Sequence, residues 1–145
     1  MKKFFLAAFA LVSSFAVFAF DPVVDEKVLE AFNKTFQSAE DVSWSVLGDN
    51  YQVKFTQNEI ASKVYYDREG HILKTYRYYN EESLPLLVMT KVKSKYTSKK
   101  IFGVTEVSSD NGTYYYIMLE DKTHWMEVRV DSYGSIRVEK KFKKA

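Results

Sequence analysis

The sequence predicts an α+β fold of two layers. A helix followed by three or four antiparallel strands is built twice in tandem, with the strands in one continuous sheet and both helices on one of its faces. Three observations predict this. Residues 51–72 match residues 115–136 at an offset of 64 without a gap. Tyr51, Val53 and Phe55 answer to Tyr115, Ile117 and Leu119, and Val64, Tyr66, Asp67, Gly70 and Ile72 to Val128, Val130, Asp131, Gly134 and Ile136. A hydrophobic pattern repeated with its turns in place is one structural unit used twice. Second, each copy opens on apolar spacings of three and four, the period of an amphipathic helix. Third, the period then drops to two, punctuated by turn residues, as in half-buried strands.

The elements follow in order. Residues 1–19 read as a cleaved signal peptide: Lys2 and Lys3 form a basic start, an apolar run follows, and Val17 and Ala19 give small side chains before the cut. The run is short for a membrane span and no stop-transfer pattern follows it. A retained anchor is the competing reading. Over residues 25–36, Val28, Leu29, Phe32 and Phe36 form one helical stripe. Val42, Trp44 and Val46 then alternate with polar residues, as do Tyr51, Val53 and Phe55, across a turn at Gly48, Asp49 and Asn50. Asp67 and Gly70 close the next hairpin, the aspartate capping backbone N–H groups and the glycine taking a positive φ. Ser83, Leu84 and Pro85 start the second helix, where proline loses no helical hydrogen bond. Leu84, Val88, Val92 and Tyr96 mark its buried stripe, with Lys91, Lys93 and Lys95 outside. Tyr96 stands 64 residues after Phe32, which places the helices in the same register as the strands. Asp110, Asn111 and Gly112, then Asp131 and Gly134, repeat the turns. The lysine-rich end reads as a solvated terminus.

Residues 20–145 thus form a single duplicated domain, repeat one over about 22–80 and repeat two over about 83–143. Removal of the leader takes Lys2 and Lys3, leaving 19 basic against 19 acidic residues, so nucleic-acid binding has no bulk support. The charge is uneven. Residues 20–83 carry 7 basic and 12 acidic side chains, and residues 84–145 carry 12 and 7. The absence of cysteine means that an exported chain has no disulfide and its core carries stability alone. It also excludes a lipoprotein anchor.

The order "helix, Phe36, Asp41-Val42-Ser43-Trp44, Tyr51 with Val53 and Phe55, Val64 with Tyr66, Asp67 and Gly70, Leu84-Pro85, then the same again" resembles the secreted PepSY-like family. That family is also described as beta-lactamase-inhibitor-protein-like (BLIP-like), and occurs mainly in Bacteroidetes-type bacteria. The resemblance covers nearly all of residues 20–145 and rests on turns, core positions and a helix start. It implies a two-layer fold of duplicated helix–sheet units and brings no established activity, since fold alone does not give function.

Catalytic chemistry has few candidates. His71 and His124 are the only proton carriers of neutral pH, they fall in or beside hairpins, and their separation fits no metal-ligand spacing. No Gly-x-Ser-x-Gly elbow, His-Glu-x-x-His helix or phosphate-binding glycine loop occurs. Asp67 with Glu69, or Asp131, offers too few oxygens for calcium, and the turn explains them. The sequence therefore predicts a non-enzymatic protein without cofactor or metal.

Aromatic residues are the anomaly: eleven Tyr, eleven Phe and two Trp. If Val53, Phe55, Val64, Tyr66 and Ile72 face the helices, so do Ile117, Leu119, Val128, Val130, Ile136 and Val138, with Tyr76 and Tyr78 inward as well. The opposite face then carries Tyr65, Leu73, Arg77 and Tyr79 from the first copy, and Tyr114, Tyr116, Met118, Trp125 and Arg129 from the second, richer copy. A helix-free face is normally polar. These side chains either stabilise an open sheet by cross-strand pairing or form a binding surface, for which Tyr, Trp, Met and Arg are the enriched types. The sequence points to an exported, periplasmic or secreted binding module that holds a protein or peptide of the cell envelope, as an inhibitor or a folding aid. It has no nucleic-acid partner and no stable membrane insertion after cleavage. The alternative is a small-ligand or glycan binder built around His124 and Trp125.

Overall fold

A computed structural model describes residues 22–145, so the targeting segment expected over residues 1–19 lies outside the described residues. Helix α1 (Glu26–Thr35) precedes strands β1 (Glu40–Leu47), β2 (Asn50–Gln57), β3 (Ile60–Tyr66) and β4 (Ile72–Tyr79). A 3₁₀ turn (Glu81–Ser83) leads into α2 (Leu86–Lys95), and β5 (Lys100–Ser109), β6 (Gly112–Glu120), β7 (His124–Asp131) and β8 (Ile136–Lys143) complete the chain. All eight strands form one antiparallel sheet in chain order, each paired with its sequence neighbours.

The α+β class stands, but the expected pair of tandem units in one register does not. Strand β4 pairs directly with β5, from Lys74↔Ser109 to Tyr79↔Val104, so a single meander runs through the point where two units were expected to meet. Nor are the helices repeats in the register of the strands. They lie 60 residues apart, Glu26–Thr35 against Leu86–Lys95, and Val28 and Phe32 match Val88 and Val92 in burial. The expected partner of Phe32, Tyr96, matches Phe36 instead, each capping its helix. The cause lies in the β5–β6 hairpin. Strand β5 has ten residues against eight in β1. Tyr115 stands three residues beyond the start of β6, whereas Tyr51 stands one beyond the start of β2. Two extra residues on each strand move the offset from 60 to 64.

Each helix seals its own apolar cluster on the same face of the sheet. Under α1, Val28 and Phe32 meet Tyr51, Val53, Phe55, Val64 and Tyr66. Phe32 is the hub, its ring 5.2 Å from Phe55 and 5.3 Å from Trp44, both edge-on. Such arrangements place a positive ring edge on a negative face. Under α2, Leu84, Val88 and Val92 meet Val104, Tyr115, Ile117, Leu119, Met126, Val128 and Val130. Burial of these branched and aromatic side chains supplies the main driving force, on the order of 1.5–3 kcal/mol per large side chain.

The hairpin ends hold the helices at a set distance. Asp67 Oδ1 accepts from the backbone N–H of Glu69 at 3.0 Å and of His71 at 2.8 Å. Asp131 Oδ1 does the same for Tyr133 and Ser135, at 2.9 Å each. These bonds hold both carboxyls below the usual aspartate range, the strongest contributions coming from the His71 and Ser135 N–H groups. Gly70 follows with φ +85° and lies so close to α1 that a Cβ would stand 2.9 Å from the Lys27 carbonyl oxygen. Only glycine meets both the positive φ and the close approach.

Candidate functional site

With both helices on one face, the other face of the sheet is open, and strand pairing decides which side chains it carries. Tyr51, Val53 and Phe55 of β2 point into the α1 core, so Gln52, Lys54 and Thr56 point away. Pairing carries that alternation into β3: Gln52↔Tyr65, Lys54↔Lys63 and Thr56↔Ala61. Between β3 and β4 the register slips by one residue, Tyr66 opposing Ile72 but Tyr65 opposing Lys74, with Leu73 the extra residue of a bulge. Beyond the bulge Lys74, Tyr76 and Tyr78 share the open face with Tyr65, and Thr75, Arg77 and Tyr79 turn toward the helices.

This overturns part of the expected site. Arg77 and Tyr79 belong to the helix face, and Tyr76 and Tyr78, expected inward, lie on the open one. Arg77 pairs with Glu106 at 3.2 Å, and the Tyr79 hydroxyl donates to Glu106 Oε2 at 2.5 Å. Tyr79 packs against the α2 cluster. Burial first, then the bond to Glu106, pushes its phenol well above the usual range. This polar trio lies on β4 and β5, between the two apolar clusters. A shallow cavity of about 380 Å³ adjoins it on the helix face, lined by Phe36, Phe55, Ser62, Val64, Thr75 and Arg77 among others. Leu73, expected outward, is the exposed bulge residue.

The remaining expected residues do share the open face. Tyr114, Tyr116 and Met118 of β6 oppose Asp131, Arg129 and Glu127 of β7. Tyr114 and Tyr116 flank the buried Tyr115, and the Arg129 guanidinium lies 5.1 Å from the Tyr114 ring centroid. Trp125 occupies one corner. There Phe102 meets it edge-on at 4.9 Å, Phe142 of β8 opposes it, and the Lys144 ammonium lies 4.4 Å from its ring. Parity could not supply Phe102, which is the unpaired residue of a bulge between Ile101 and Gly103. Phe142 reaches Trp125 through another bulge, at Glu127/Val128. In the centre Tyr65 and Tyr76 pack edge-on at 5.9 Å. A groove of about 270 Å³ is lined there by Lys74, Tyr76, Thr105, Val107, Tyr116 and Glu127. Both halves of the chain therefore furnish the face.

Charge on this surface differs by region. Across β6–β8 acids and bases are paired: Arg129–Glu139 at 3.5 Å, Lys140–Glu127 at 3.6 Å and Lys144–Glu120 at 2.7 Å. Such partly exposed pairs contribute at most about 1 kcal/mol each and chiefly fix geometry. Lys74 stays above the ordinary lysine range, hydrogen bonding to Tyr76 outweighing its burial.

The histidines lie apart from this face's centre. His71 is exposed, its Nδ1 2.9 Å from Asp67 Oδ2, and His124 Nδ1 lies 2.8 Å from Thr123 Oγ1. Among the described residues no three histidine or carboxylate side chains come together as metal ligands, and no helix is long and apolar enough to cross a membrane.

No family model and no curated protein matches the chain. Solved structures do. A BLIP-like protein of Bacteroides fragilis superposes with a TM-score of 0.66 at 18% identity, covering 86% of this chain and 90% of that one. The fold is BLIP-like. A DUF2874 family protein of Bacteroides ovatus shares it, with a TM-score of 0.63 at 18% identity over 84% and 89% of the two chains. So does a candidate periplasmic protein of Bacteroides eggerthii, at 0.62 and 14% over 84% and 90%. At these identities the likeness is one of fold alone.

Proposed function

We propose that the chain is an exported, non-enzymatic binding module that holds a protein or peptide of the cell envelope on the helix-free face of its sheet. Tyr114, Tyr116, Trp125 and Arg129 are its anchors, with Tyr65 and Met118 beside them; Arg77 and Tyr79 leave the proposed site. One observation carries this reading: a sheet face with no helix over it holds partly buried tyrosines, a tryptophan and a methionine, where solvent-facing strands are ordinarily polar. These are the residue types that dominate interface cores. The BLIP-like fold of the neighbours supports a binding role, and the basic, then apolar, start of the sequence supports export.

A pocket shared by His124 and Trp125, on which the glycan alternative depends, is disfavoured. The two are consecutive in β7 and point to opposite faces. The test is capture of a partner from an envelope extract by the wild-type protein and by a Tyr116→Ala, Trp125→Ala variant. The wild type should retain a defined partner that the variant loses, with the thermal midpoint of the variant nearly unchanged. A variant that unfolds makes these residues structural and ends the proposal, as does a variant that captures the same partner equally well.

A further inference from the structure

The helix-free face carries a charge arrangement that the fold does not require. By register, the charged side chains it presents from β2 to β5 are Lys54, Lys63 and Lys74, with Lys100 apart from them at the far end of β5, opposite Glu120. Lys54 and Lys63 stand directly opposite one another across β2 and β3. Like charges in that position repel and destabilise a sheet. Lys63 and Lys74 both lean over the Tyr76 ring, their ammonium nitrogens 5.7 Å and 4.9 Å from its centroid. Among the described residues none of the three has an ion-pair partner.

Acids are not scarce in this part of the chain, where residues 20–83 hold 12 of them against 7 bases. Most are placed elsewhere: Asp25, Glu26 and Glu30 at or on α1, Asp49, Glu59, Asp67 and Glu69 at hairpin turns, Glu81 and Glu82 in the 3₁₀ turn; Glu40, opposite Thr56 where β1 begins, is the carboxylate that register puts at the edge of this face. An acidic half therefore presents a basic stripe, on the face that also bears Tyr65, Tyr76 and Tyr78. On the same face in β6–β8 each base has a carboxylate partner, Arg129 and Arg137 sharing Glu139.

We infer that the stripe of Lys54, Lys63 and Lys74 recognises an acidic, extended segment of polypeptide, its carboxylates on the lysines and its apolar or aromatic side chains against the tyrosines. The inference rests on the proposed binding role of this face and gives its partner a chemistry. Spacing favours a peptide. Lys54 and Lys63 sit on neighbouring strands, about 5 Å apart in backbone, and Lys74 is one strand and two residues further, about 8 Å away. Alternate carboxylates of an extended chain repeat at about 7 Å. A single phosphate would call for convergent donors, with the planar fork of arginine the favoured partner, whereas these three lysines arise from three adjacent strands. Tyr76 holds two of them in place before a partner arrives, which lowers the ordering cost of binding.

The test measures fluorescence anisotropy of a labelled peptide of alternating glutamate and tyrosine with the purified protein. A glutamine–tyrosine peptide and dextran sulfate serve as comparators. The glutamate peptide should bind, weaken as salt rises, and bind about tenfold less tightly to a Lys54→Gln, Lys63→Gln, Lys74→Gln variant that stays folded. The glutamine peptide should bind the wild type no better than it binds that variant. Equal affinity of wild type and lysine variant for the glutamate peptide overturns the inference. So does lysine-dependent binding of dextran sulfate without binding of the peptide, which would make the stripe a site for anionic glycans. If the lysine variant binds normally while Tyr116→Ala, Trp125→Ala does not, the acidic-partner inference falls and the binding face stands. If both variants bind as the wild type does, both fall.

Discussion

Replacing Tyr66 with phenylalanine should stabilise the fold. Tyr66 is fully buried under α1, 6.3 Å from Trp44, and its hydroxyl has no hydrogen-bond partner. Burying a hydroxyl without compensation costs about 1–3 kcal/mol by protein substitution data. The ring and its contacts survive the change, so that amount should be recovered. With 124 described residues at about 2.1 cal/mol/K each, the unfolding entropy is near 0.26 kcal/mol/K, and the gain becomes about 4–12 °C in Tm. A second arm uses pH. Burial pushes the Tyr66 phenol from 10.0 up to about 12. The folded protein then keeps a proton that the unfolded chain releases, so Tyr66's share of stability is complete below pH 10 and is lost as the pH climbs through 12. That share is about 2–3 kcal/mol at 1.36 kcal/mol per unit. Phenylalanine has nothing to titrate, so the variant's advantage should widen between pH 10 and 12. Tyr79 and Tyr115, also raised by burial, titrate alike in both proteins and cancel. Urea unfolding followed by circular dichroism at pH 7 and pH 11 measures both arms. A phenylalanine variant less stable than wild type at pH 7 would show that the hydroxyl has a partner, and would refute the reasoning.

Gly70→Ala and Gly134→Ala form a controlled pair, since their φ values are +85° and +84°. At Gly70 the new Cβ meets a backbone oxygen of α1, and at Gly134 the flexible Lys91 side chain. Urea midpoints should show about 1–2 kcal/mol lost at Gly134 from the positive φ, and at least about 1 kcal/mol more at Gly70; equal losses would mean α1 shifts freely. Lys99 first, with the N–H groups of Thr123 and His124, holds the Asp121 carboxyl well below the usual range. Its contribution is present above pH 4 and lost as the pH falls, so Asp121→Asn should lower Tm at pH 7 and flatten the decline of Tm between pH 4 and 2. Lys54→Glu converts an opposed like-charge pair into an attractive one, and should raise stability by about 0.5–1 kcal/mol, or 2–4 °C, while weakening binding of the glutamate peptide. A gain in stability together with retained binding would separate the two effects and count against the lysine stripe.

Core and turns were legible in the sequence because each rests on a local rule. Val28 with Phe32, Val53 with Phe55, and Val128 with Val130 announce a buried face by spacing alone, and Asp67 with Gly70 announces a turn by chemistry. The helix register was not legible. Phe32 and Tyr96 are both large and apolar, so the offset of 64 looked continuous, and nothing in the residues shows that the β5–β6 hairpin is longer. Strand β4 failed for a related reason. Ile72, Leu73, Tyr76, Tyr78 and Tyr79 place apolar groups at both parities, so period two cannot choose between faces. Lys54 and Lys63 were the available signal: the alternation of β2 and β3 puts both on the open face, and a hairpin register makes them opponents.

The misassigned residues have a common physical cause that bears on function. Those of β4 are all displaced by one β-bulge, and two further bulges shape the open face. The bulge at Leu73 turns Tyr76 and Tyr78 outward; without it that position of the face would hold Thr75, Arg77 and Tyr79. The bulge at Phe102 leaves that ring unpaired and edge-on to Trp125. The bulge opposite Glu127 and Val128 sets Phe142, not Lys141, across from Trp125, and Lys140 against Glu127. A bulge costs ladder hydrogen bonds and strengthens local twist, and is commonly kept where it re-aims side chains. Here the re-aimed side chains are aromatic, and they join the opposed pair Lys54 and Lys63, which the sheet would be more stable without. Irregular backbone and unfavourable charge meeting on one face, the one no helix covers, is the pattern expected when a surface is shaped by what it binds.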